Sequence, residues 1–334
     1  MKNRQVLLIL PEGTAGTGGG TYSQVLAGAL ARADNLDVSV YKSEADLDKH
    51  YDIVHAVDLK HFDPALTPLI KSPLVVDVHD VYWLKGEQRF PTPDLPLRWY
   101  LDAKRRKRYA PVLKRADAVI AHSGYVASRI GHRRARVVGY AVEPLDAGPP
   151  LRERPPVVVF AGRDYFRKGL PVLVGAWKYV SAVRPDAVLY IAGREYAHGK
   201  LYARIAALQK TIKPLGDCPR EKLLDIMRNA AAVVLPSWTE AYGIVLIEAA
   251  AMGTPAIASR VGGMPEALKD GKGGIIVEKA RRRALARAIL RCLAVCPDRE
   301  LEEIARFAKN AADEYTIDKM VRSILDVYDE VAQE

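Results

Sequence analysis

Residues 236–263 read PSWTEAYGIVLIEAAAMGTPAIASRVGG, and their pattern decides the fold class. The apolar run just before them, Ala231 to Leu235, has the length and composition of a buried strand. A polar turn follows, and then a nearly all-apolar run from Ile244 to Met252, long enough for a helix buried on most sides. Gly253 stops that helix, Pro255 forbids its return, and Ala256 to Ala258 reads as the next short strand. Glu240 in the turn and Glu248 inside the apolar helix break the pattern. An ionised carboxylate among Ile, Leu and Ala needs hydrogen-bonding partners, since uncompensated burial costs several kcal/mol. One reading is a buried ion pair or a protonated Glu. The other is a pair of carboxylates that accept hydrogen bonds from ligand hydroxyls beside a helix N-terminus suited to an anion.

Working outward, 334 residues suggest two domains. The apolar fraction of 49% and charged fraction of 27% are those of a soluble globular protein, and no run approaches the about 18 apolar residues of a membrane span. The N-terminal MKNRQVLLILPEG turns too early for a signal peptide. Cys218, Cys292 and Cys296 have neither zinc-ligand nor disulfide-framework spacing, so a reduced cytoplasmic compartment is expected. Asn and Gln number only four and five, a bias that fits a protein from a hot environment. The net charge is +10, densest at Lys104–Arg108, KRRKR. Such a cluster is either a solvated helix face or a surface for peripheral contact with an anionic membrane. No aromatic residues interleave with it to stack bases, which argues against nucleic acid as a partner.

In chain order, QVLLIL at 5–10 is a strand, PEGTAGTGGGTYS its turn, Val25 to Ala33 a helix and Leu36 to Tyr41 a strand, the opening of a doubly wound α/β sheet. The glycines at 13, 16, 18, 19 and 20 do not match G-x-G-x-x-G, but suit a loop whose amides approach a phosphate. Further strands are expected at Ile53 to Val57, Leu74 to Val78, Ala118 to Ala121 and Val137 to Gly139. His79 follows the carboxyl end of a strand, where open α/β sheets bind ligands, although His55 lies near a strand end too. Val81 to Arg98 reads as a loop over a cleft and the best candidate for acceptor recognition. The segment AVEPLDAGPPLRERPP, Ala141 to Pro156, carries five prolines and reads as a linker.

A second α/β unit begins after it, with strands at Val157 to Ala161, Ala187 to Ala192 and Val233 to Leu235 and a helix at Leu170 to Val183. The expected plan is a first domain at 1–145, a linker at 146–156 and a second domain at 157–316, leaving a cleft between two Rossmann-like halves. The helix Ile317 to Val331, in the segment 317–334, could cross back to the first domain. The turn GRDYFRKG places Arg163 and Lys168 after a strand end, a place that suits a diphosphate leaving group. The one Asp-x-Asp triplet, Asp46 to Asp48, reads as solvated surface, and no metal-ligand cluster stands out. The cations would then take the part that a magnesium ion plays elsewhere.

GRDYFRKG and TEAYGIVLIEAAAMGTPAIASRVGGMPE together resemble the retaining nucleotide-sugar glycosyltransferases of the glycogen-synthase-like group, glycosyl transferases group 1, which have the GT-B fold: two Rossmann-like doubly wound α/β domains facing each other across a cleft. The match covers the second half. GTGGGTYS, VDVHD and AHSGYVASRI extend it loosely into the first. The resemblance implies that Glu240 holds donor-sugar hydroxyls, helped by the amides of Tyr242, Gly243 and Ile244, and that Glu248 binds the ribose diol. Arg163 and Lys168 would grip the diphosphate, Gly19 and Gly20 would approach the donor phosphate and acceptor, and His79 would touch the sugar. The base would lie against backbone near Leu215 and Gly216. The implied activity is retaining transfer of a hexose from a nucleotide-sugar donor to a glycan, lipid or small-molecule acceptor, with no metal and no other cofactor. Where the family runs Pro-Asn-Gly-Val-Asp into the linker, this chain has Gly139, Tyr140, Ala141, Val142 and Glu143.

Two other classes compete. A nucleotide-dependent Rossmann oxidoreductase would use Glu44, shortly after the second strand, on a ribose hydroxyl, but leaves Glu240 and Glu248 unexplained. A non-catalytic sugar-nucleotide-binding protein would have no use for leaving-group cations.

Overall fold

The computed structural model describes residues 3–12, 18–84, 87, 90–193, 195 and 197–333. Two compact units divide the chain. Met1–Gln88, Asp94–Glu143 and Tyr315–Glu334 make the first, and Arg89–Pro93 with Pro144–Glu314 the second.

In the first unit, β1 (Arg4–Ile9), α1 (Gly18–Leu30), β2 (Leu36–Val40), β3 (Ile53–Ala56) and β4 (Leu74–Val78) are followed by α2 (Leu95–Arg115), β5 (Ala118–Ala121), α3 (Gly124–Ile130) and β6 (Ala135–Val137). The strands form one parallel sheet in the order β2-β1-β3-β4-β5-β6. Short runs made mostly of Val, Ile, Leu and Ala and buried along their whole length, as in β3, β4 and β5, are what a parallel sheet covered on both faces requires, with His55 in β3 and Asp77 in β4 as the polar exceptions.

In the second unit the order along the chain is β7 (Val157–Ala161), α4 (Leu170–Val183), β8 (Val188–Ala192), α5 (Ala197–Ala206), β9 (Ile212–Gly216), α6 (Arg220–Asn229), β10 (Ala232–Leu235), α7 (Ile244–Ala251), β11 (Ala256–Ser259), α8 (Met264–Ala267), β12 (Ile275–Val277), α9 (Arg282–Cys292) and α10 (Arg299–Ala311). Its sheet is parallel in the order β12-β11-β10-β7-β8-β9. The winding reverses between β7 and β10, and the turns that leave those two strands therefore share one end of the sheet. Trp177 of α4 anchors this core, fully buried, with its indole N–H donating to Thr211 Oγ1 at 3.0 Å.

The chain closes with α11 (Ile317–Ala332), which belongs to the first unit and packs on α1. Met320, Ile324, Val327, Tyr328 and Val331 line its buried stripe at helical spacing, and Thr316 caps it by accepting the Lys319 N–H at 3.4 Å.

Three local expectations change. Gly18, Gly19 and Gly20 form the first turn of α1 rather than a loop, while Gly13 and Gly16 lie outside the described residues. The loop from Val81 ends earlier than Arg98, because Pro96 sits in the first turn of α2, where its missing N–H is an orphan anyway. The expected linker at 146–156 is bound to the second unit along its length. Gly148 N–H donates to Met252 C=O at 2.9 Å, and Arg154 donates to the carbonyls of Pro149, Ala230 and Gly253 and to Thr254 Oγ1 at 2.7–3.1 Å. Burial pushes the Arg154 guanidinium down to about 10. Composition marked this stretch as a linker, but an arginine with four acceptors fixes it to the second unit.

Candidate functional site

The β7–α4 turn is shaped by Asp164, a non-glycine residue in the left-handed region at φ 57°. Its carbonyl accepts the Lys168 N–H at 2.9 Å and its carboxylate faces Arg167 at 3.4 Å, which curls residues 164–168 into a tight hook. Tyr165 pins the hook from below, donating its N–H to Glu195 and its hydroxyl to Gly193 C=O at 2.6 Å. Gly169 must be glycine twice over, because its φ is 77° and a Cβ there would stand 1.9 Å from Pro236 C=O. That contact presses the β7 turn against the turn after β10.

Across this contact Lys168 Nζ donates to Glu240 Oε2. Arg167 Nη1 lies 3.8 Å from the same oxygen and donates to Thr239 C=O at 3.3 Å, while the Trp238 N–H donates to Arg167 C=O at 2.9 Å. Glu240 is held from the other side by Gly262, whose Cβ would come within 1.7 Å of Glu240 C=O. The Lys168 and Glu240 side chains are only 13% and 11% exposed. Burial alone would raise the Glu240 carboxyl, but the charges of Lys168 and Arg167 outweigh it and hold the group below its usual range. Burial lowers the Lys168 ammonium, with Glu240 opposing. A lysine so placed is a compact, poorly hydrated cation with further donor capacity.

Arg163 does not join this pair. It stands exposed at the start of the turn, and Arg167, which the sequence reading passed over, is the second cation on Glu240. Only the left-handed Asp164 brings Arg167 and Lys168 to bear on the same oxygen, and nothing in the residue spacing announces it.

Glu248 sits in the middle of α7, 5% exposed, with Arg220 Nη1 at 2.5 Å from its Oε1. Its buried charge is thus met by an arginine from the first residue of α6, whose own side chain is 39% exposed. The ion-pair reading of Glu248 is realised in this structure, with a partner that reaches the surface. Gly243 precedes α7 in the left-handed region at φ 93°, and Tyr242 beside it is buried, so the first amides of α7 begin at Ile244. Gly216 ends β9 at φ 65° and accepts the Gly193 N–H at 2.7 Å, which leaves Leu215 and Gly216 presenting mainly backbone. Glu248→Gln is expected to weaken nucleoside-diphosphate affinity about tenfold or more, the size of a lost hydrogen bond to a charged group. Calorimetry with the free nucleotide checks it, and unchanged affinity would leave Glu248 as a structural ion pair only.

In the first unit His79 belongs to a buried polar cluster at the carboxyl ends of β3, β4 and β5. Its Nε2 donates to Val57 C=O at 2.9 Å and its Nδ1 accepts from Tyr140 Oη at 2.8 Å. Asp77 is fully buried, with His55 Nε2 at 2.7 Å on one oxygen and Tyr22 Oη at 3.1 Å on the other. His55 Nδ1 in turn meets Tyr328 Oη of α11 at 2.7 Å. His122 stacks between His79 and Tyr140, ring centroids 4.6 and 4.2 Å away, and donates from Nδ1 to Val138 C=O at 2.8 Å. Burial pushes the Asp77 carboxyl up, but the imidazoles around it, His55 foremost, hold it below its usual range. Asp77, His79 and His122 are the one group among the described residues able to hold a metal ion, with donor atoms within 4.8 Å. The sequence reading missed it because its residues come from the ends of two strands, β4 and β5, about 40 residues apart along the chain. Its polar atoms are committed to His55, to Tyr22 and Tyr140 and to backbone carbonyls, apart from His122 Nε2, which has no hydrogen-bond partner and lies 4.0 Å from Asp77.

Two doubly wound parallel sheets, the second carrying paired acids and cations at its switch point, define a GT-B glycosyltransferase fold. The structure of Anabaena HepE, solved with UDP and glucose, superposes with a TM-score of 0.75 over 98% of this chain and all of that one at 16% identity. Sucrose-phosphate synthase from Thermosynechococcus elongatus gives 0.76 over 98% and 99% at 19% identity. The family model Glycosyl transferases group 1 matches residues 143–314, just over half of the chain, and the protein belongs to that family. Among curated relatives, the D-inositol 3-phosphate glycosyltransferases of Streptomyces griseus and Jonesia denitrificans are 39% and 35% identical over 186 and 183 residues. Each match covers 52% of this chain but only 38% and 42% of those proteins.

Proposed function

We propose that this protein is a retaining glycosyltransferase that moves a hexose from a nucleoside-diphosphate sugar to a hydroxyl of a glycan, lipid or small-molecule acceptor, without a metal ion. The observation that carries the proposal is the buried Lys168–Glu240 pair with Arg167 beside it, held where the turns after β7 and β10 meet. A glutamate fixed this way can accept hydrogen bonds from sugar hydroxyls, while Lys168 and the exposed Arg163 supply positive charge to a departing diphosphate. Glu248 and Arg220 take the ribose side, and the amides of Tyr242, Gly243 and Ile244 with the backbone at Gly216 complete the donor contacts. His79, Gly19 and Gly20 remain proposed sugar and phosphate contacts of the first unit.

In the reaction the bond from the anomeric carbon to the diphosphate oxygen breaks as the acceptor oxygen bonds to the same face. The acceptor proton passes to the departing diphosphate. Positioning and charge stabilisation supply the rate. A solved relative in fold that carries UDP and glucose makes a uridine nucleotide the first to try. Membership in a glycosyltransferase family displaces the oxidoreductase reading, which also leaves the acids of the second unit without work.

The test is incubation with UDP-, GDP-, ADP- and TDP-hexoses in EDTA, with an acceptor panel that includes inositol phosphates. One nucleotide class should raise the melting temperature and be released as diphosphate on transfer, with the donor's anomeric configuration kept in the product. Donor binding without transfer to any acceptor would favour a binding protein. Transfer restored only by added divalent metal would overturn the metal-free mechanism, and an inverted product would overturn retention.

A further inference from the structure

The basic run at 104–108 is divided by the fold. On α2, Asp102, Tyr109 and Val112 face inward, and Arg105 and Arg106 follow them: Arg105 pairs with Asp102 at 2.8 Å, and Arg106 donates to Trp83 C=O at 2.8 Å. Lys104, Lys107 and Arg108 point outward and are exposed. Two turns earlier on the same outward face stand Leu97, Tyr100 and Leu101, exposed by 56%, 56% and 37%, with Trp99 at their flank exposed by 55%. Positions 97, 100, 101, 104, 107 and 108 fall within one stripe of an α-helix, about 16 Å long at 1.5 Å per residue. Apolar and aromatic residues fill the N-terminal end of this stripe and cations the rest.

A merely solvated helix face has no reason to expose three large apolar side chains in one stripe with a tryptophan on its flank, and their cost in water calls for an apolar partner. The cations state the partner's charge. The helix holds eight Lys and Arg against a single acid, Asp102, which is buried and already paired. Arg108 has only a distant contact with Asp63, at 3.8 Å between exposed groups. Lys104 Nζ lies 4.6 Å from the centre of the Tyr100 ring, so the charge is carried at the edge of the apolar patch. Leu, Tyr and Trp beside a row of Lys and Arg is the chemistry of a headgroup boundary: acyl chains take the apolar side chains, and anionic headgroups take the cations. The same charge could attract a nucleic acid, but a polyanion in water offers Leu97 and Leu101 nothing.

We infer that the outward face of α2 docks on an anionic phospholipid bilayer, with Leu97, Trp99, Tyr100 and Leu101 entering the headgroup–acyl boundary and Lys104, Lys107 and Arg108 lying on the headgroups. No described helix is long and apolar enough to cross a membrane. This surface is independent of the donor chemistry of the second unit, and its test does not require activity.

The full-length protein is floated with vesicles of phosphatidylcholine alone and of phosphatidylcholine mixed with phosphatidylglycerol, at low and high salt. Binding is expected to the mixed vesicles and to fall steeply with salt. The triple variant Lys104→Glu, Lys107→Glu, Arg108→Glu should bind at least about a hundredfold more weakly, as expected for three reversed surface cations. Bromine-labelled acyl chains should quench tryptophan fluorescence in the parent and not in Trp99→Phe. Leu97→Ser with Leu101→Ser should weaken binding even at low salt. Because all these side chains are exposed, melting temperatures should stay unchanged, which separates lost docking from lost folding. Equal binding to neutral vesicles, an unaffected triple variant, binding without acyl-chain quenching, or retention by RNA but not by vesicles would each overturn the inference.

Discussion

Lys168→Ala is expected to lower kcat by a factor of about 10² or more, with a smaller change in KM. The lysine is the nearest cation to Glu240, and in the proposed reaction it also neutralises the diphosphate as it departs. Removing it leaves Glu240 with the Ala241 N–H and with Arg167 at 3.8 Å, too far for a strong hydrogen bond, so a carboxylate only 11% exposed loses its nearest counter-charge. Two effects are therefore mixed in the single variant, and a second one separates them. In Lys168→Ala with Glu240→Gln the uncompensated charge is gone. If Lys168 only neutralises Glu240, activity in the double variant returns to that of Glu240→Gln alone. If Lys168 stabilises the leaving group, the defect persists. Normal turnover in the single variant, or recovery in the double one, would remove Lys168 from the chemistry.

The second large effect concerns stability. Burial pushes His122 down to about 3, aided by His79, with Asp77 and Asp58 opposing. The native state therefore keeps His122 neutral at pH values where the unfolded chain protonates it, near the ordinary value of about 6.5. Between about pH 6.5 and 3 the unfolded state holds one more proton than the native state at this residue, so stability falls as pH falls through that window. The loss amounts to a few kcal/mol, at about 1.4 kcal/mol per pH unit. Asp77 acts lower, its depressed carboxyl giving stability that is lost only as pH drops below the usual carboxylate range. His122→Phe keeps a ring between His79 and Tyr140 and removes the titration. The expected result is a higher baseline of acid resistance, with the pH slope of stability near pH 5 reduced by one proton. Hydrogen exchange of the β4 and β5 amides across pH 4–7 measures it in the first unit alone. A slope identical to that of the parent would show that His122 is not held neutral.

Much of this was legible in the residues. Apolar runs bounded by Gly and Pro named ten of the twelve described strands, because strands buried on both faces of a parallel sheet are largely apolar; β9 and β12 were passed over, and β6 overlaps its expected bounds only at Val137. The helix at Leu170–Val183 has the bounds expected from its periodicity. The Glu240 and Glu248 anomaly was legible too, since an acid in an apolar run demands a partner wherever the chain places it.

The identity of that partner was not. Arg220, Arg167 and the split of the basic run into inward arginines and an outward row each depend on which surface meets which. For Glu248 the partner comes from another helix 28 residues away, and for Glu240 from another turn 72 residues away. The Asp77–His79–His122 cluster gathers from two strand ends and is closed by tyrosines of α1, of the segment after β6 and of α11. Its composition in sequence is three ordinary residues.

The sequence by itself determined the local elements, the α/β class and the residue types that a sugar-nucleotide chemistry needs, because period, turn residues and charge in an apolar run act over a few neighbouring residues. The tertiary structure alone decided that β10 lies against β7, that Gly169 and Gly262 clamp the two turns, and that Lys168 rather than Arg163 meets Glu240. Parallel pairing joins segments distant along the chain, and the partner of a buried charge is fixed by that pairing and by a left-handed Asp164, neither of which leaves a periodic mark in the sequence.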